Sequence, residues 1–230
     1  MSWLSDQVVQ AAQSVEAAGG TVRGFRQIVR QRFEESPVTD WELLFWTRGI
    51  KRGLIQLNGH WFRLGSGRQS SFSLFVRNET GLMVGLRRES ITQAAVYVAL
   101  VTHYGYHRRL VRFELDSLDV ALQEMDGRVR LYAETKASDR TLERLVSELS
   151  SGFAEGLPFL ELVEGQKPPD AFQKAAHILR HRPTLFWAVS PNQRLAFTVH
   201  YHSVGFRLEA VPDIPFHEHS DLFSGAQALV

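Results

Sequence analysis

Val8, Val9, Ala12 and Val15 recur at helical spacing and predict a helix over residues 6–18, ended by Gly19-Gly20. Residues 22–34 predict a second helix, basic along its length. Thr39 and Glu42 stand three apart ahead of an apolar run. That spacing lets each side chain reach the other's backbone N–H, so a third helix is predicted over Trp41 to Gly49. The pattern then shortens to strand length. Trp61-Phe62-Arg63-Leu64 and Phe72-Ser73-Leu74-Phe75 flank the polar turn Gly65 to Ser70. Ser90 and Gln93 repeat the capping spacing and predict a helix from Ser90 to about His103, ended by Gly105. Two or three strands follow between Leu110 and Lys136. Ser138 opens a helix through Leu142, Leu145, Val146 and Leu149, and Pro168-Pro169-Asp170 starts another that runs to about His181. Thr184 to Val189, Arg194 to His202 and Gly205 to Val211 read as strands, and the residues after Pro212 as a loose surface tail.

This order implies an α/β (α+β) domain with a central mixed sheet flanked by helices. Residues 1–60 read as a basic N-terminal helical lobe, with no linker to set it apart, and 61–230 as the α/β domain. The chain has 230 residues and is 44% hydrophobic, enough to bury a real core. It has no cysteine, which excludes disulfides and thiolate zinc sites. Residues 1–6 lack the basic start and apolar run of a signal peptide, and the longest apolar stretch, Ala94 to Val101, is too short to span a bilayer. The expectation is a cytoplasmic protein without a membrane anchor. A net charge of +1 argues against coating nucleic acid by bulk charge but permits a local basic cleft.

The segment from Asp119 to Lys136 carries the candidate chemistry. Asp126-Gly127 is a strong signal for a two-residue hairpin loop, because both positions tolerate positive φ. That loop pairs Met125 with Arg128, Glu124 with Val129, Gln123 with Arg130, Leu122 with Leu131, Ala121 with Tyr132 and Val120 with Ala133. Apolar residues then gather on one face. The same register sets Asp119 opposite Glu134, with Lys136 on the same face. Directly opposed carboxylates repel at roughly 5 Å, and a hard divalent cation relieves the repulsion. Such an ion acidifies a bound water and offsets charge on a phosphate, while Lys136 orients or deprotonates the water or neutralises the phosphate. A surface hairpin whose polar face carries the same three residues remains the alternative.

Leu118-Asp119 on one strand, then Ala133-Glu134-Thr135-Lys136-Ala137-Ser138 on the next with small residues leading into a helix, resembles the PD-(D/E)XK nuclease superfamily. The resemblance covers about residues 88–150. It implies a restriction-endonuclease-like core, Mg²⁺ or Mn²⁺ held by Asp119 and Glu134, and Lys136 assisting the attacking water. That family often adds an acid from the preceding helix. Glu89 is the nearest candidate here, but it falls just outside the helix if Ser90 is the cap. Asp116, three residues before Asp119, competes for the metal role. The implied partner is nucleic acid, DNA ahead of RNA, with a homodimer or larger assembly also in view. A non-catalytic nucleic-acid-binding or assembly protein on the same fold is the second reading.

Other patterns give weaker leads. His177 and His181 lie four apart on a helix, with no third ligand indicated for a metal. His200 and His202 share a strand face and His217 and His219 lie in the tail; together they could bind a transition metal, and scattered polar positions on an exposed strand are the simpler account. Leu57 to Ser70 is similar to the N-terminal hairpin of orotate phosphoribosyltransferases, which gives a third and weaker reading. That family's later diphosphate-binding loop is absent. Arg68 and Ser70 in this loop, and Arg26 and Arg30 on the basic helix with Arg23 and Arg32, are candidates for contact with a phosphate backbone. Trp41, Trp46 and Trp61 read as core.

Overall fold

A computed structural model of the chain describes residues 1–65, 71–115, 118–157 and 167–217. Helix α1 (Trp3–Ala17) begins where the Ser2 hydroxyl accepts the Ser5 N–H. The Glu16 carboxylate near its end accepts the N–H groups of Gly24 and Arg26, satisfying the start of α2 (Phe25–Glu35). The predicted reciprocal cap of Thr39 and Glu42 is formed at α3 (Asp40–Lys51). Five short strands follow: β1 (Ile55–Asn58), β2 (Trp61–Leu64), β3 (Ser71–Ser73), β4 (Phe75–Arg77) and β5 (Met83–Leu86). They form a three-stranded antiparallel sheet, β1-β2-β3, and a two-stranded one, β4-β5.

Helix α4 (Arg88–Thr102) starts two residues earlier than its sequence suggests. Ser90 is not its cap but lies buried within the first turn. Tertiary contact decides the start, because the Arg88 side chain is pinned to α3 and to the carbonyls of Ser36 and Pro37. The chain continues through β6 (Val111–Leu115), β7 (Leu118–Gln123), β8 (Val129–Thr135), α5 (Asp139–Gly152), α6 (Asp170–His181), β9 (Leu185–Val189), β10 (Arg194–Tyr201) and β11 (Phe206–Val211). These strands make one six-stranded mixed sheet in the order β11-β10-β9-β8-β7-β6. Only β8 and β9 pair in parallel within it, joined by the crossover through α5 and α6.

Alternation along the strands divides the core in two. Val120, Leu122, Leu131, Ala133, Trp187 and Val189 face a cluster shared with α1 to α4. Ala121, Tyr132, Phe186, Ala188 and Phe197 face α5 and α6, which bring Leu142, Leu145, Leu149, Ala171, Ala175 and Ile178. Residue 60, where a helical lobe would end, falls in the turn between β1 and β2.

The β7–β8 hairpin reaches the expected register by a different route. Its loop has three residues, not two. Glu124 and Arg128 close it, Gly127 adopts φ +88°, and Met125 does not pair with Arg128. Glu124 is therefore not opposite Val129; Gln123 is. A bulge at Arg130 then absorbs one residue and restores Leu122–Leu131, Ala121–Tyr132 and Val120–Ala133. The tail after Pro212 also departs from expectation. Tyr104 donates to Asp213 and Tyr106 to the Pro215 carbonyl, while Ile214 is buried, so residues 213–217 pack on α4 and the loop that follows it. Among the described residues, no helix is long and apolar enough to cross a membrane.

Candidate metal centre

Glu134 lies at the end of β8, on the face that carries Tyr132 and looks toward α6. Its side chain is 1% exposed. Lys136 Nζ donates to its Oε1 at 2.7 Å, Lys174 Nζ to its Oε2 at 2.9 Å, and the Tyr132 hydroxyl also donates to Oε2. Lys136 is shared with Asp170 at 2.9 Å. Asp119 stands one residue before the first β7–β8 pair. Its Oδ2 accepts the Thr135 N–H at 2.7 Å and the Thr135 hydroxyl at 2.8 Å. Glu89, in the first turn of α4 and thus inside the helix, arrives from the opposite side of the sheet. One carboxylate oxygen from each of Glu89, Asp119 and Glu134 falls within 4.8 Å of the other two.

Three carboxylates therefore meet two lysines. Burial and the neighbouring Asp119 push Glu89 up to about 8, although Lys136 and Lys174 pull the other way. Burial and Asp119 likewise raise Glu134 to about 7, against the same lysines. Asp119 is raised by burial despite Lys174 and its two bonds from Thr135. Burial favours uncharged Lys136, but Glu134 and Asp170 outweigh it and hold the ammonium charged.

Glu114 adds a fourth acid. The pairs Phe113–Val120 and Leu115–Leu118 bracket it at the position across from Asp119. Its φ is +54°, a left-handed conformation that costs a non-glycine residue about 1–2 kcal/mol. Burial raises its carboxyl, while Arg87 and a bond from Gln93 lower it. A cleft of about 460 Å³ opens beside these groups, lined by Arg32, Arg87, Glu89, Gln93, Glu114 and Asp119 among others. Arg87 is exposed.

The donor set suits a hard divalent ion such as Mg²⁺ or Mn²⁺, since every ligand atom is a carboxylate oxygen. Of the residues expected from sequence, Asp119, Glu134, Lys136 and Glu89 come together. Asp116, Arg68 and Ser70 lie outside the described residues. Arg26 and Arg30 are exposed on α2 and do not line the cleft, whereas Arg32 of the same helix does. Sequence reasoning missed Lys174 and Asp170. They sit one turn apart on a helix whose Ala171, Ala175 and Ile178 are buried, but that pattern does not say which strand the helix crosses. His177 and His181 stack at 6.3 Å, and His200 is bonded to Glu209. Among the described residues no histidine joins a group of three ligands. No family model, curated protein or solved structure matches the chain.

Proposed function

We propose that the protein is a metal-dependent nuclease that hydrolyses phosphodiester bonds of nucleic acid, DNA ahead of RNA, on a restriction-endonuclease-like core. The observation that carries this reading is the convergence of Glu89, Asp119 and Glu134 from α4, β7 and β8 onto one point. The order of elements around it supports the core: a helix with an acid, antiparallel strands bearing the acid and the Glu-x-Lys, then a helix capped by Ser138. These three carboxylates would hold Mg²⁺ or Mn²⁺. Such an ion, when bound, supplies Lewis acidity toward a phosphate and acidifies water. Glu134 fixes the ammonium of Lys136, whose N–H would donate a hydrogen bond toward an attacking water or a phosphate oxygen. Arg87 and Arg32 line the approach and suit the phosphate backbone.

Incubation of single-stranded and duplex DNA with Mg²⁺ or Mn²⁺ tests the reading. Wild type is expected to cleave, and Glu134→Gln, Asp119→Asn and Lys136→Met to lose at least about a hundredfold in rate, on the scale of removing one preorganised electrostatic group. Cleavage that survives Glu134→Gln and Lys136→Met sinks it.

One observation favours a second reading, a non-catalytic nucleic-acid-binding or assembly protein. Both oxygens of Glu134 are occupied by lysine ammonium groups, so the cluster holds together without an ion. Calorimetric titration with Mn²⁺ separates the two: absence of binding, or binding unchanged in Asp119→Asn, favours the second. A phosphoribosyltransferase-like site required a parallel sheet around residues 65–70. The flanking β2 and β3 pair antiparallel, and that reading is dropped.

A further inference from the structure

The three-stranded sheet β1-β2-β3 has one buried and one open face. Ile55, Leu57, Phe62, Leu64 and Phe72 turn inward, where Phe62 packs on Trp46 and Phe72 on Phe113 at 4.4 Å. The cross-strand pairs Gln56–Arg63, Asn58–Trp61, Trp61–Ser73 and Arg63–Ser71 place the other set on the opposite face. That outward set is Gln56, Asn58, Trp61, Arg63, Ser71 and Ser73. None carries a carboxylate. Trp61, a residue that sequence alone would bury, is 39% exposed.

The indole is not idle at this surface. The Arg77 guanidinium lies 5.8 Å from the centre of the Trp61 ring. The His60 ring lies 5.1 Å from it and stacks on Phe75 at 5.2 Å with an interplanar angle of 4°. A half-exposed indole held against His60, with two arginines and small hydrogen-bonding side chains beside it, is the chemistry that takes unpaired bases and their phosphates. Duplex DNA hides its base faces in the stack and offers nothing to such a ring. Strand β4 links this face to the acidic cleft: Val76 lines the cleft while its neighbour Arg77 leans over Trp61.

We propose that the open face of β1-β2-β3 binds single-stranded nucleic acid, with a base stacked on Trp61 and phosphates met by Arg63 and Arg77. This surface lies apart from the carboxylate centre and does not require that centre to be catalytic. Fluorescence anisotropy of a labelled oligo-dT of twenty nucleotides, its oligo-U counterpart and a duplex of equal length, all in EDTA, tests it. Wild type is expected to bind the single strands more tightly than the duplex, with affinity falling as salt rises. Trp61→Ala is expected to weaken binding about tenfold, Trp61→Phe to keep most of it, and Arg63→Gln with Arg77→Gln to flatten the salt dependence. Glu134→Gln is expected to bind as wild type does, so lost cleavage with retained binding separates this surface from the nuclease reading. Failure of wild type to bind single strands, preference for duplex, or binding indifferent to both Trp61→Ala and the double arginine change overturns the proposal. If Trp61→Ala proves unfolded, the double arginine variant alone decides.

Discussion

Arg88 and Glu89 are neighbours in the first turn of α4, yet they belong to opposite kinds of buried charge. Arg88 meets Glu42 through two bonds of 2.7 and 2.6 Å, with both side chains fully buried. Thr92 donates to the same carboxylate, the Thr39 N–H donates as well, and Thr92 Oγ1 and the carbonyls of Ser36 and Pro37 take the remaining guanidinium hydrogens. One positive charge meets one negative charge and every polar group has a partner. Glu89 turns the other way, into a cluster with more acids than lysines, where it and Glu134 are pushed up to about 8 and about 7. Burial is common to both clusters; the surplus of like charge belongs to the second alone. The balanced pair also fixes the start of the helix, and so holds Glu89 over the strands.

The contrast breaks most visibly at Arg88. Arg88→Met leaves the Glu42 carboxylate buried and unpaired, a loss of about 3–5 kcal/mol. Thermal melts are expected to show Tm lower by roughly 10 °C. A change within a degree or two would mean that the pair is not the peg it looks to be. A divalent ion should act on the other cluster with the opposite sign. At pH 8, Mg²⁺ or Mn²⁺ at a hundred times its Kd is expected to stabilise the fold by about 2.7 kcal/mol, and Asp119→Asn to abolish the rise. An equal rise in Asp119→Asn would place the ion elsewhere.

Removal of one surplus acid comes next in size. Glu89→Gln in EDTA at pH 8 is expected to stabilise the protein by about 1–2 kcal/mol, after allowance for its partial exposure. That raises Tm by roughly 2–6 °C. The substitution that harms the proposed activity thus helps the fold. A lower Tm would show that the lysines already balance the acids, and the distinction from Arg88 would fade.

Much of this arrangement was legible in the chain because it is local. The Thr39–Glu42 cap, the Ser138 cap, the strands β9 to β11 and the pairing of Val120 with Ala133 all follow from short-range spacing. The pairing was reached by two errors that cancel, since the three-residue turn shifts the register one way and the bulge at Arg130 shifts it back. Long-range contacts were not legible. Lys174 reaches Glu134 and Asp170 reaches Lys136 only because α6 lies across β8, and α4 begins at Arg88 only because α3 supplies Glu42. Nothing in the strand alternation warned that Glu114 turns left-handed, and Trp61, which reads as core, stands 39% exposed.

The smallest expected effect is a slope of stability with pH, and its sign separates the two clusters without any mutation of the core pair. Glu89 and Glu134 ordinarily titrate near 4.5 but are raised to about 8 and about 7 in the fold. Between those values the folded protein holds protons that the unfolded chain has released. Stability is then fully present below about pH 4.5 and is lost as pH rises through 7 and 8. His60 and His177, both lowered by burial, act oppositely, but only below their ordinary value of 6.5. The lysines of the cluster are raised and enter only above their ordinary 10.5. The clean window is therefore pH 6.5 to 8.5, in EDTA. Urea unfolding across it is expected to lose about 1 kcal/mol, with Glu89→Gln flattening the slope and Mn²⁺ reversing much of the loss. A profile that is flat in wild type, or that rises with pH, would mean the acids are already neutralised within the fold. Glu89 would then stand in the same relation to its lysines as Arg88 does to Glu42.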